Sequence, residues 1–135
     1  MTFTRADALA IADILRTTAQ AEILPRFRNL SADAIRTKSS QLDLVTDADE
    51  AAERVIEAEL LRRFPGALVI GEEGVSRNAS VLDGLGDAEL AFILDPVDGT
   101  LNFASGLPLF GVMAAVAIKG EIVCGVILLI FTRQV

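Results

Sequence analysis

Apolar residues return at helical spacing over residues 4 to about 27, with Ala8, Ile11, Ala12, Leu15 and Ala19 on one side of the period. Thr4 followed three positions later by Asp7 supplies a start signal, and Pro25 predicts a break or kink near the end. Residues 29–46 mix polar and apolar positions without a period and predict an extended or looping path. A second helix is predicted over residues 46–64: Ala52, Val55, Ile56 and Leu60 share a side, and Pro65-Gly66 stops it. Glu50 with Arg54, and Glu59 with Arg63, stand at the spacing of helical ion pairs.

Beyond Gly66 the pattern changes. Residues 67–71 and 91–94 are short apolar runs that stop at acidic residues, as buried strands do when they deliver ligands to a sheet edge. The Gly-rich, polar stretch 74–90 predicts a spacer between them. Residues 110–118 and 122–131 predict two adjacent strands joined around Lys119-Gly120-Glu121. That charged turn divides the apolar region 107–131 into pieces too short to cross a bilayer as one helix, so no membrane partner is expected. Two helices followed by strands predict an α+β or layered αβ architecture, and 135 residues suffice for one domain.

Composition narrows the chemistry. Hydrophobic residues make up 52% of the chain but aromatics only 5%, with no Trp or Tyr, so the core must be built mainly from Ala, Val, Ile and Leu. A net charge of -7 argues against a nucleic-acid partner, which needs Lys and Arg to neutralise phosphates. There is no histidine, which removes His-dependent triads and the usual zinc sites and leaves oxygen-ligand metals. The single cysteine, Cys124, cannot form an internal disulfide and sits in an apolar run as an ordinary small buried thiol. With no basic-flanked apolar leader in the first residues, a cytoplasmic location is expected.

The acidic residues cluster as Asp43, Asp47, Asp49 and Glu50, then Glu72 and Glu73, then Asp95 and Asp98. In Leu94-Asp95-Pro96-Val97-Asp98-Gly99-Thr100-Leu101-Asn102-Phe103, two carboxylates three residues apart can face one cation to which the turn also offers a carbonyl. Gly99 and Thr100 follow where amides and a hydroxyl can meet a phosphate at the start of a short helix. An ordinary surface turn favours the same residue types. Gly71-Glu72-Glu73-Gly74, taken alone, reads more simply as a solvated acidic turn. Thr46 with Asp49 forms a capping box, which explains Asp49 but not Lys38 and Asp43 upstream.

Taken together and in order, these pieces resemble the inositol monophosphatase family. Asp95-Pro96-Val97-Asp98-Gly99-Thr100-Leu101-Asn102-Phe103 is similar to its DPxDGTxNF signature, while Gly71-Glu72-Glu73 and Asp43-Leu44-Val45-Thr46 with Asp49 match its two upstream elements. The resemblance implies a layered αβαβα sandwich of the sugar-phosphatase type, of which residues 1–135 would be the N-terminal, metal-binding half: two helices, then an antiparallel-rich sheet. It implies Mg²⁺-dependent, lithium-sensitive hydrolysis of a small phosphate monoester, most simply inositol monophosphate. Fructose bisphosphatase, histidinol phosphatase and nucleotide 3′-phosphatase are the alternatives within that class.

By position in that pattern, Glu72, Asp95 and the carbonyl of Val97 would hold one Mg²⁺, and Asp95 and Asp98 would share a second. Glu73 and Asp49 would lie near further metal or water positions. Glu72, Thr100 and Asp49 would act in catalysis, and Lys38, Asp98, Gly99 and Thr100 would contact the substrate. The family pattern includes a further aspartate, usually after a tryptophan, that this chain lacks. The second ion is therefore expected to bind weakly, since Mg²⁺ demands near-octahedral oxygen ligation. The apolar ending looks like that of a truncated gene product, and it predicts association through an uncovered sheet, as a homodimer or an assembly module without catalysis.

Overall fold

A computed structural model describes residues 1–38 and 44–130. Asp43, named among the candidate residues, lies outside them. The first helix, α1 (Arg5–Thr18), starts at the Thr4–Asp7 capping box read from the sequence. It continues through a π-helical turn over Ala19–Ile23 and a 3₁₀ turn over Leu24–Arg26, so Pro25 tightens the helix at its last turn. Ile11, Leu15, Ala19 and Ile23 are all buried on one side.

The stretch expected to loop instead contains two short strands, β1 (Ile35–Thr37) and β2 (Leu44–Thr46), paired antiparallel with Ile35 opposite Thr46. Three residues are too short for a two-residue period to show in sequence. The second helix, α2 (Asp47–Arg63), falls where expected and buries Ala52, Ile56 and Leu60. Its expected ion pairs do not form. Glu50 pairs with Arg36 of β1 at 3.2 Å, Glu59 with Arg62, and Arg63 reaches Asp7 of α1, so tertiary partners and three-residue spacing displace the four-residue pairs.

A four-stranded sheet follows in the order β3–β4–β5–β6, formed by β3 (Leu68–Gly71), β4 (Ala91–Asp98), β5 (Phe110–Ile118) and β6 (Glu121–Ile130). The pair β3–β4 is parallel and the other two pairs are antiparallel. The supposed spacer holds a short helix, α3 (Glu72–Arg77), and a 3₁₀ segment over Ala79–Gly84. A further helix, α4 (Thr100–Ala104), follows β4. Lys119 and Gly120, both with positive φ, make the tight turn between β5 and β6.

Both α1 and α2 cover one face of the sheet. Phe92 and Leu94 of β4, Val112, Ala114 and Val116 of β5, and Ile130 of β6 meet the buried side chains of the helices there. Alternate residues point to the other face, where Ile127 and Leu129 of β6 are 63% and 61% exposed. Among the described residues, no helix is long and apolar enough to cross a membrane.

Candidate active site

Register brings the acidic motifs together. In the parallel pair β3–β4, Gly71 lies opposite Leu94, so the residues that follow, Glu72 at the start of α3 and Asp95 within β4, come together just beyond the ladder. Asp95 and Asp98 are three apart, which in a regular strand would send them to opposite faces. A bulge between them, where Asp95 pairs with Met113 and Asp98 with Gly111, inserts one extra residue on β4 and offsets that alternation. Pro96, which has no N–H to give the ladder, sits in the bulge.

The loop after Asp98 is anchored from below. Gly99 has φ of +88°, and a Cβ there would lie 3.1 Å from the Leu109 carbonyl, so glycine is required. The side-chain amide of Asn102 donates to that carbonyl at 2.9 Å. Phe103 is buried against Phe27 and Phe110, with ring centroids 5.7 and 5.1 Å away. Part of the signature is thus structural: Gly99, Asn102 and Phe103 hold the turn that carries Asp98 and Thr100.

Asp49 is wholly buried and serves two purposes. Its Oδ2 accepts the Thr46 N–H and hydroxyl at 2.8 and 2.6 Å, completing the cap of α2. Its Oδ1 accepts the Thr100 hydroxyl at 2.9 Å, which also lies 2.9 Å from the Val97 carbonyl. One hydroxyl hydrogen faces two acceptors. With Asp49 ionised the charge-assisted bond is stronger, leaving the Val97 oxygen available to a cation.

Lys38, just past β1, places its Nζ 3.4 Å from Glu72 Oε1 and 3.6 Å from Glu73 Oε2. Glu73 is 3% exposed. Burial, reinforced by the charges of Asp49, Glu72 and Glu53, outweighs the opposing Lys38 and pushes its carboxyl up to about 7. Burial, then the hydrogen bond to Glu72 and the charges of Glu72, Asp98 and Asp49, push Asp95 up to about 8. Burial also raises Asp49 despite its bonds to Thr46 and Thr100. Beside Glu72 and Asp95 an open cleft of about 510 Å³ runs over Ile70, Val75, Leu82 and Ile93.

Two buried oxygens, Asp95 Oδ1 and Glu73 Oε1, have no hydrogen-bond partner. Unpaired carboxylate oxygens amid like charges fit a hard cation, which would relieve both the desolvation and the repulsion. Among the described residues no three acidic side chains form a ready-made cage. The donors fit an ion held by Glu72, Asp95 and the Val97 carbonyl that keeps several waters, as Mg²⁺ does. The structure thus places Lys38, Asp49, Glu72, Glu73, Asp95, Val97 and Thr100 around one centre, with Asp98 exposed at its rim and Gly99 at the N-cap of α4.

Sequence reasoning overlooked Glu53. It lies on α2 four residues after Asp49 and three before Ile56, so a carboxylate on the buried stripe was there to be noticed. It is 4% exposed, accepts the backbone N–H groups of Glu73 and Gly74, and has its carboxyl raised by burial.

Comparison with known proteins gives a consistent result. A sequence model described as "Inositol monophosphatase family" matches residues 6–135. The Thermotoga maritima fructose-1,6-bisphosphatase/inositol-1-monophosphatase is 35% identical over 95 residues, covering 70% of this chain and 34% of the relative. The Pseudomonas aeruginosa Nus factor SuhB is 39% identical over 87 residues, covering 64% of this chain and 30% of the relative. The chain therefore spans about a third of the length of these relatives. The solved Thermotoga maritima IMPase superposes with a TM-score of 0.72 at 26% identity, covering 92% of this chain and 44% of that one.

Proposed function

Because the chain belongs to the inositol monophosphatase family, we propose that residues 1–135 form the metal-binding part of a Mg²⁺-dependent phosphomonoesterase site. Its substrate is a small phosphate monoester, inositol monophosphate in the first instance. The observation that carries this reading is the meeting of Glu72 and Asp95 directly beyond Gly71 and Leu94, the last pair of the parallel β3–β4 ladder, with a buried Asp95 oxygen left unpartnered.

In this proposal Glu72, Asp95 and the Val97 carbonyl hold the first Mg²⁺, and Asp95 with Asp98 hold a second one weakly. When bound, the ions supply Lewis-acid stabilisation of phosphate charge and acidify a water. The residues do the rest. Asp49 accepts a hydrogen bond from the Thr100 hydroxyl, so the Thr100 oxygen, with Glu72, can orient the attacking water on its lone pairs. The amides of Gly99 and Thr100 donate to phosphate oxygens, and Lys38 adds a positive charge at the entrance. Asp98 lies at the exposed rim, where it can meet substrate hydroxyls.

The test is Mg²⁺-dependent phosphate release from inositol 1-phosphate, with Asp95→Ala as control and lithium as inhibitor. Loss of release in Asp95→Ala is expected, and full activity in that variant overturns the assignment. Fructose 1,6-bisphosphate, histidinol phosphate and a nucleotide 3′-phosphate, assayed alongside, decide among the substrates.

A second reading, an assembly module without catalysis, is favoured by the exposed apolar row on β6 and by an apolar hollow of about 240 Å³ beside it. It predicts a stable associated state that neither binds Mg²⁺ nor releases phosphate. One relative bears the name of a Nus factor, so the assembly assay should include transcription components as well as the chain itself.

A further inference from the structure

The helix that presents Glu72 and Glu73 has no cap of its own. Gly71 is the N-cap of α3, has extended φ and ψ of −101° and 152°, and makes no side-chain cap bond. The donors that an N-cap serine or aspartate would satisfy are the N–H groups two and three residues further on, Glu73 and Gly74. Both are taken by one carboxylate from the middle of another helix: Glu53 Oε2 accepts from Glu73 at 2.8 Å and Oε1 from Gly74 at 2.9 Å.

The fit excludes any side chain at residue 71. A Cβ on Gly71 would fall 2.1 Å from the Glu53 carboxyl carbon and 2.2 Å from Oε1. The conformation at Gly71 is one every residue adopts, so the glycine is required for space and not for backbone freedom. Glu53 and Gly71 are therefore complementary: one supplies the cap, the other vacates the place where a cap would stand. Arg77, on α3 itself, lies 3.9 Å from Glu53 Oε1 and is its nearest charge partner.

We infer that Glu53 is a positioning residue which caps α3 from α2 and so aims Glu72 and Glu73 at the site shared with Asp95. This rests on the metal reading proposed above. Helix α2 already carries Asp49, one turn before Glu53, so a single rigid helix holds both the Thr100 hydroxyl and the acidic loop in register.

Mn²⁺, which shares the octahedral oxygen preference of Mg²⁺, serves as the probe. Its affinity for the full chain is titrated by electron paramagnetic resonance, beside amide exchange at Glu73 and Gly74 and far-ultraviolet circular dichroism. Glu53→Gln keeps the shape but turns an NH₂ toward one of the two donors. It is expected to weaken Mn²⁺ binding by roughly 10–100-fold, the range for residues supporting metal ligands, and to speed exchange of both amides with the fold intact. Gly71→Ser alone should weaken binding through collision with Glu53, whereas Gly71→Ser added to Glu53→Ala should restore most of the affinity lost in Glu53→Ala. Unchanged affinity in Glu53→Gln overturns the inference, as does a Glu53→Ala loss that Gly71→Ser leaves unrepaired. A wild-type chain that binds no Mn²⁺ overturns the metal reading itself and the inference with it, whereas wild-type binding abolished by Asp95→Ala but indifferent to Glu53 overturns the inference alone.

Discussion

Glu73 and Asp95 carry the clearest pH signature. Their carboxyls are pushed up to about 7 and about 8 from ordinary values of 4.5 and 3.8. Between those limits the folded chain binds protons that the unfolded chain has already released, so stability falls as pH rises across that window and levels off above about 8. Urea unfolding of the metal-free protein at several pH values should show this slope. Added Mg²⁺ should flatten it, because the ion competes with those protons. Thr100 is the second residue whose removal is informative. Thr100→Val leaves the buried Asp49 Oδ1 without its donor, at about 1–3 kcal/mol of stability, and phosphate release should fall by roughly 10²-fold or more. Thr100→Ser should retain both, and equal activity in the valine variant would remove Thr100 from the mechanism. The residue types at these positions were legible in sequence because Asp-Pro-Val-Asp-Gly-Thr is dense with groups that either turn a chain or bind cations. Glu53 was not singled out: its place on the apolar stripe of α2 is readable in sequence, but the N–H groups it caps belong to α3, whose position only the tertiary structure sets.

At the scale of elements, legibility followed length. Helix α2 repeats its period often enough to be seen, and β4 and β5 announce themselves as apolar runs, while β1, β2 and α3 span three to six residues each, less than two turns or two alternations. These short pieces are held by partners distant in sequence, β2 by β1, α3 by Glu53 and Arg36 by Glu50, and no local pattern announces such support. The loop of α4 depends likewise on the Phe27–Phe103–Phe110 cluster. Phe103→Ala should destabilise the chain by about 3–5 kcal/mol, the usual cost of emptying a buried aromatic site, and should loosen the Asp98–Gly99–Thr100 turn. Thermal unfolding measures the first effect and Mn²⁺ affinity the second; an unchanged melting temperature would contradict the anchoring role.

For the whole molecule, the decisive feature is a sheet covered by α1 and α2 on one face only. Ile122, Val123, Ile127 and Leu129 stand exposed on an edge strand that carries no charge between Glu121 and Ile130. Native edges are commonly guarded by charge, proline or short length, and over the ten residues of this strand, an edge among the described residues, the one such guard is Glu121 at its first position. Association that grows with concentration is expected in sedimentation analysis, and Ile127→Lys with Leu129→Lys should reduce it; a monomer at all concentrations would count against the exposed face as a contact surface. By itself the sequence determined the helices with long periods, the β5–β6 hairpin and the identity of the acidic groups, because periodicity and motif chemistry are local properties. Only tertiary structure decided that Glu72 meets Asp95, that Asp49 serves a cap and a hydroxyl together, and that Glu53 stands in for a missing cap. Each of those depends on strand register or on the rotation of one helix against a neighbour, and neither quantity is set by residues adjacent in the chain.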